Sequence, residues 1–321
     1  MSEPTLIGHD ELSMREAFGQ ILVKLAPKYD FVVFDCDVAS GTGTHHFRDA
    51  YPDRFYQFGI AEQNAMSAAA GFASTGVPVF VTTMACFALR AWEMARLSIG
   101  YANANVKIVA SHVGLEVGPD GASAQSIEDI ACFRAIPGVV VISPADALEL
   151  EYATVAILEY DGPVYMRTGR NAQPRIYAEY KNGFRFGKIM LDGYHKKSEV
   201  TLIATGVMLY RAMKARQKLK VMSNIINVAS IKPLEPYVIT ALAKKTNAVV
   251  TCEDHSIIGG LGSAVAEVLA QHHPCPIEFV GVRDAWGESG TPEELAVKYG
   301  LTSDDIVKAA LRVIERKNAT K

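Results

Sequence analysis

The sequence predicts an α/β protein of two doubly wound domains, on three observations. Short apolar runs alternate with helix-length segments throughout, as buried parallel strands and their crossover helices do. The alternation pauses once, across a polar and aromatic stretch at 179–198, and then restarts. The chain of 321 residues is also longer than one ordinary core supports. These observations divide it into a first domain over 1–178, a linker over 179–198 and a second domain over 199–321.

The first helix is expected at 13–25, with Ser13 and Glu16 spaced as a capping box and Pro27 beyond its end. Phe31-Val32-Val33-Phe34 follows as a strand that delivers Asp35 and Asp37 to its carboxyl edge, and Ser40-Gly41-Thr42-Gly43-Thr44 reads as a polar loop. Strands at 55–58, 77–81 and 106–110 then alternate with helices at 62–74 and 87–98. A long loop starts at Ser111, followed by a helix at 127–134, a strand at 139–142, a helix opened by Pro144-Ala145-Asp146 and a strand at 163–167. In the second domain, strands at 200–204, 224–228, 248–252 and 277–280 enclose helices at 207–218, after Pro236 and at 262–271. A helix at 303–317 closes the chain.

Composition excludes several function classes. Thirty-two basic against 35 acidic residues leave no surplus of positive charge for a nucleic acid or an anionic membrane. The uncharged stretch 65–89 is cut by Ser74-Thr75-Gly76-Val77-Pro78 and so is not a membrane span. Five scattered cysteines without a Cys-x-x-Cys pair read as buried thiols of a cytoplasmic protein. No basic leader with an apolar core opens the sequence, which fits that compartment. His45-His46 and His272-His273 have no carboxylate or cysteine at ligand spacing, so no metal site is expected on this chain.

Phe58-Gly59-Ile60-Ala61-Glu62-Gln63-Asn64 carries the strongest chemical signal. Glu62 opens a helix of small residues and is the last charge before Arg90. It either favours the positive end of the helix dipole or, once buried, shares a proton with a heterocyclic base. Met84, Phe87 and Arg90 recur at intervals of three on one expected helical face, suited to core packing or to stacking on a flat ligand. His112 ends a strand ahead of the glycine-punctuated loop Gly114–Gly121, a place where α/β sheets bind ligands. Arg167 and Arg170 at another strand end suit a phosphate or carboxylate. Gly259-Gly260-Leu261-Gly262 has the wrong spacing for a phosphate cradle and is read as tight strand-to-helix packing.

Taken together, Asp53-Arg54-Phe55, Gly59-Ile60-Ala61-Glu62-Gln63-Asn64 and Ala69-Ala70-Gly71 resemble the transketolase group of thiamine diphosphate enzymes, and in particular the C-terminal half that split transketolases carry as a separate subunit. The resemblance covers essentially the whole chain. It implies a pyrimidine-binding domain followed by a transketolase C-terminal domain, the latter marked by Glu253-Asp254-His255-Ser256-Ile257-Ile258-Gly259-Gly260-Leu261-Gly262. It further implies that Glu62 activates the cofactor's aminopyrimidine, that Phe87 packs on the same ring, and that Asp37, Met84 and Arg90 line the cofactor. His112 would be catalytic as well as a substrate contact; Asp120 would contact the donor sugar, and Arg170, Arg15 and Ser40 its phosphate.

Two departures qualify the resemblance. Ala124 stands where the family places a histidine after Asp120-Gly121, which implies an atypical donor. No Gly-Asp-Gly followed some 25–30 residues later by Asn occurs, so the ligands of Mg²⁺ and the diphosphate would lie on an N-terminal-half partner subunit. The implied activity is transfer of a two-carbon ketol unit from a ketose (phosphate) to an aldose. A heterotetramer built on a homodimer is the implied assembly. The β subunit of a 2-oxoacid dehydrogenase, an enzyme like 1-deoxyxylulose-phosphate synthase and a non-catalytic assembly protein are the alternatives.

Overall fold

The computed structural model describes residues 11–180 and 183–319. Its first sheet has seven strands, in the order Ser230–Lys232, Val140–Ile142, Val164–Arg167, Val106–Ser111, Val79–Met84, Val32–Asp35, Phe55–Gln57. All neighbours run parallel except the first pair. The central strands Val106–Ser111 and Val164–Arg167 are buried along their whole length, which is why they read as mostly apolar runs; Lys107, the charge inside the first, donates to the Tyr160 and Gly162 carbonyls. The second sheet has five strands, in the order Ile277–Val282, Val249–Ser256, Val200–Ala204, Ser223–Asn227, Met190–Gly193, with only the last antiparallel. Two doubly wound domains are therefore present, as the alternation predicts.

The two units share structure. Ser230–Lys232 lies in the second half of the chain yet supplies the edge strand of the first sheet. One apolar cluster also runs through both, with Leu150 and Met166 on one side and Leu202 and Met208 on the other. A short antiparallel ribbon of Glu11–Ser13 and Ala172–Pro174 ties the start of the first domain to its end.

Several local expectations are corrected. Helix Met14–Leu25 forms, but Ser13 does not cap it: its hydroxyl donates to the Arg170 carbonyl at 3.1 Å, while Glu16 turns to His46. The loop read at 40–44 contains helix Ala39–Thr42 and leads directly into helix His45–Ala50. The helix read at 87–98 is broken into Ala85–Arg90, Trp92–Met94 and a wide π turn over Ala95–Tyr101. Met84 ends its strand, so it does not share a helical face with Phe87 and Arg90. Cys36 and Cys252 are buried, but Cys86, Cys132 and Cys275 are only partly so. Among the described residues, no helix is long and apolar enough to cross a membrane.

The glycine run at 259–262 packs as read. A Cβ on Gly260 would sit 2.0 Å from the Glu253 carboxylate, and one on Gly262 2.5 Å from the Phe279 ring. Those carboxylate oxygens accept the Leu261 and Gly262 amides at 2.7 and 2.8 Å, so the helix start is filled by the protein's own acid.

Candidate active site

The carboxyl ends of the first sheet's strands carry the candidate residues. Val32–Asp35 leads to Asp37, Phe55–Gln57 leads to Glu62, Val79–Met84 ends on Met84 and Val106–Ser111 leads to His112. Ligands bind at this edge in open α/β sheets because loops diverge there and leave a crevice. Asp37 and His112 both have left-handed backbones, with φ of 65° and 56°. For residues with a Cβ this conformation costs free energy, and it concentrates at binding and catalytic sites.

Glu62 opens helix Glu62–Ala73 and is 3 % exposed. Its Oε2 is buried without a hydrogen-bond partner. A helix dipole acts on a carboxylate but does not require its removal from water, so the dipole alone leaves this atom unexplained. Glu62 lies close enough to influence two thiols: with burial as the larger cause, it helps push Cys36 up to about 12 and Cys86 up to about 11. Neither thiol is therefore poised as a nucleophile. Cys86 immediately precedes Phe87, whose ring is 37 % exposed at the start of the broken helix. An aromatic side chain left partly in the open suits a flat, partly polar ring. Arg90 is exposed one turn further on.

A second group of side chains gathers around His112. Burial is the main reason its imidazole is pushed down to about 4; the charges of Arg170 and Arg15 add to the effect, and Asp120 opposes it. His112 is therefore neutral at physiological pH, and its 4.0 Å approach to Asp120 is not an ion pair. Its Nδ1 shares a 2.9 Å hydrogen bond with the Ser111 hydroxyl, which leaves Nε2 as the reactive nitrogen. Arg170 is fixed by donating to the Val117 carbonyl at 2.7 Å and by an ion pair with Asp120 at 3.2 Å. Arg15 donates from Nη1 to the Ser40 carbonyl at 3.2 Å, while its buried Nε has no partner. The positive charge of this end thus comes from the two arginines, and the histidine contributes a hydrogen-bonding group.

Met84, at the end of the strand that leads into the Phe87 helix, comes close to His112 across Gly41. A Cβ on Gly41 would lie 3.0 Å from Met84 Cε and 3.6 Å from His112 Cε1. Arg167 does not take part: its Nε and Nη2 donate to the buried Asp129 carboxylate at 2.8 and 3.1 Å, and Nη2 also reaches across to the Asp254 carbonyl. Of the arginine pair read from sequence, only Arg170 reaches the site. Arg54 is likewise structural, donating to the carbonyls of Ala26, Tyr29 and Phe31 and stacking over the Phe31 ring.

Sequence reasoning missed Gln57, and it placed Asp35 at a strand's carboxyl edge without giving it a role in the site. Gln57 Oε1 accepts the amides of Asp37 and Gly59 at 2.9 Å each, and its amide nitrogen donates to Asp35 at 3.1 Å. Gln57 thereby joins the turn at Asp37 to the turn that leads into Glu62. Their only sequence signal was two polar residues ending adjacent apolar strands. Ala124 lies on the turn after Gly121 and is partly buried, so no imidazole is supplied from that position.

Comparison with known proteins matches both domains of the chain. The family described as "Transketolase, pyrimidine binding domain" matches residues 10–175, and "Transketolase, C-terminal domain" matches 187–306. A protein of Methanocaldococcus jannaschii described as a putative transketolase C-terminal section is 42% identical over 94% of this chain and 96% of its own length. The 6-deoxy-6-sulfo-D-fructose transketolase subunit of a Clostridium species is 38% identical over 99% of both chains. Among solved structures, one described as a split gene transketolase, inactive beta4 tetramer, superposes with a TM-score of 0.88 at 41% identity, covering 95% of this chain and 99% of the other. With both halves matched in order along nearly its whole length, the chain belongs to the transketolase family and carries that family's pyrimidine-binding and C-terminal domains.

Proposed function

We propose that this chain is one subunit of a thiamine diphosphate-dependent transketolase, moving a two-carbon ketol unit from an anionic ketose to an aldose in concert with a subunit that holds Mg²⁺ and the diphosphate. The observation that carries the reading is the orphaned Oε2 of Glu62. A buried acceptor with no partner is costly unless a ligand completes it, and the partly exposed Phe87, next in sequence to a thiol that Glu62 influences, suits stacking on a pyrimidine ring.

When bound, thiamine diphosphate supplies a nucleophilic carbon and an electron sink for cleaving the bond next to a ketone. This chain's residues do the rest of what its half of the site requires. Glu62 holds a proton at Oε2 against a ring nitrogen, and its burial keeps water from competing for that position. Phe87 and Met84 supply the apolar wall, with Asp37 and Arg90 at the margin. His112, uncharged, offers a hydrogen bond at Nε2 to a substrate oxygen, with Asp120 beside it. Arg15 and Arg170, with Ser40, hold the anionic end of the sugar, whose remote binding orients the reacting carbonyl. The unpartnered Nε of Arg15 supports that anion role.

The relative that acts on a sulfo-sugar makes sulfonate as plausible an anion as phosphate for two arginines to hold. Ala124 favours a donor other than the usual ketose phosphates, since no histidine meets the sugar there. Mixing this chain with an N-terminal-half subunit, thiamine diphosphate and Mg²⁺, then surveying phosphorylated and sulfonated ketoses with an aldose acceptor, tests both points. Ketol transfer from at least one of them is expected, and Ala124→His is expected to shift the preference toward ordinary ketose phosphates. Decarboxylation of 2-oxoacids without ketol transfer would reject the assignment.

A further inference from the structure

We propose that Glu16, His45 and His46 form a binding site for a divalent transition-metal ion of the zinc type. The proposal reverses the sequence expectation that these histidines lack a carboxylate. Glu16 is far from them along the chain, but helix Met14–Leu25 lies against helix His45–Ala50 and brings it alongside. One ligand atom from each residue lies within 4.8 Å of the other two. Glu16 Oε2 stands 2.8 Å from His46 Nε2 and 3.9 Å from His45 Nε2.

Three features make this more than proximity. His45 Nδ1 lies 3.3 Å from the Ala39 carbonyl, so that nitrogen carries the proton and Nε2 keeps its lone pair toward Glu16. A ring nitrogen that donates to a backbone carbonyl is the usual support of a metal-bound imidazole. The two rings lie with centroids 4.1 Å apart and planes tilted by 36°, which keeps them close neighbours as ligands. The helices are also held at fixed spacing by two glycines: a Cβ on Gly19 would meet the Gly43 carbonyl at 1.9 Å, and one on Gly43 would meet the Arg15 carbonyl at 2.0 Å.

The donor set is two imidazoles and a carboxylate, the ligands of open tetrahedral zinc sites, with a fourth position for water or an anion. Bonds of about 2.0–2.1 Å place ligand atoms roughly 3.3 Å apart, so the 2.8 Å side between Glu16 and His46 must open, and the 3.9 Å side between Glu16 and His45 must close, by about half an ångström each. The side chains, 29 to 34 % exposed, have room to do so. Binding displaces the proton shared by His46 and Glu16, so affinity rises with pH. The site ties the helix that carries Arg15 to the segment that follows Ser40, and it needs neither the thiamine cofactor nor a second subunit.

The test is titration of the full-length, untagged, metal-free chain with Co²⁺, read by its visible absorption, followed by displacement with Zn²⁺. One Co²⁺ per chain with the intense band of tetrahedral coordination is expected, along with a Zn²⁺-dependent rise in the thermal midpoint. Glu16→Gln and His46→Ala should each weaken binding by more than about tenfold. His45→Ala should do the same, and serves if either of the others fails to fold. His272→Ala with His273→Ala should leave binding unchanged. Absence of binding below about 100 µM Co²⁺, or binding lost with the 272–273 pair and kept in Glu16→Gln, would overturn the proposal.

Discussion

The two sheets end in similar loops but treat their charged residues in opposite ways. At the carboxyl end of strand Val249–Ser256, Glu253 accepts two helix amides, and Asp254 accepts the amides of Leu115 and Glu116 at 2.9 and 3.0 Å. His255 is saturated as well, donating from Nδ1 to the Ser256 carbonyl and accepting the Ala131 amide at Nε2. At the first sheet's edge, Glu62 Oε2 and Arg15 Nε are left without partners although buried. A charged residue consumed by the protein's own backbone builds the fold, whereas Glu62 and Arg15, buried and unfinished where the candidate residues gather, are open to a ligand.

Several substitutions would break or sharpen this contrast. The largest effect belongs to Glu62→Gln, which should fold normally yet reduce turnover of the reconstituted enzyme by about 10²-fold or more, because an amide cannot exchange the proton. Steady-state kinetics beside an unfolding curve separates the two consequences. On the structural side, Arg167→Ala strands the Asp129 carboxylate, which is 0% exposed, and should cost about 3–5 kcal/mol in urea unfolding. A loss under 1 kcal/mol would mean that the interdomain cluster is not as closed as its hydrogen bonds indicate. Arg170→Ala should raise KM for anionic donors by roughly tenfold, as loss of a charge-assisted contact does, with a smaller change in kcat.

The smallest effect distinguishes Glu116 from His112, four residues apart in one loop. Burial, helped by Asp254, pushes Glu116 up to about 8, so the folded chain keeps a proton that the unfolded chain releases near 4.5. That stabilising difference is complete below 4.5 and is lost as pH rises through 8. His112 has the opposite sign: its folded value near 4 lies below the ordinary 6.5, so stability is lost as pH falls through that window. Thermal melts between pH 5 and 8 should therefore show a shallower decline for Glu116→Gln than for the natural protein. Parallel curves would contradict this.

Much of the fold was legible because buried parallel strands write themselves as apolar runs, and Val200–Ala204 coincides with its expected limits. Ser230–Lys232 was not legible, because a three-residue antiparallel edge holding one apolar side chain has no period to detect. Glu62 stood out since isolation of a charge is a one-dimensional property. The roles of Arg54, Gln57 and Glu16 are not, for each depends on a partner brought close only by folding. Arg167 and Arg170 looked equivalent in sequence, and only the position of Asp129 separates them.

The central claim is that Glu62 manages a proton on a bound cofactor ring. Its most direct test is the rate of deuterium exchange at the thiazolium carbon of thiamine diphosphate, measured in the reconstituted complex with Glu and with Gln at this position. Exchange slowed by about two orders of magnitude in Glu62→Gln, with cofactor still bound, is the predicted result. Equal rates in the two complexes would contradict it.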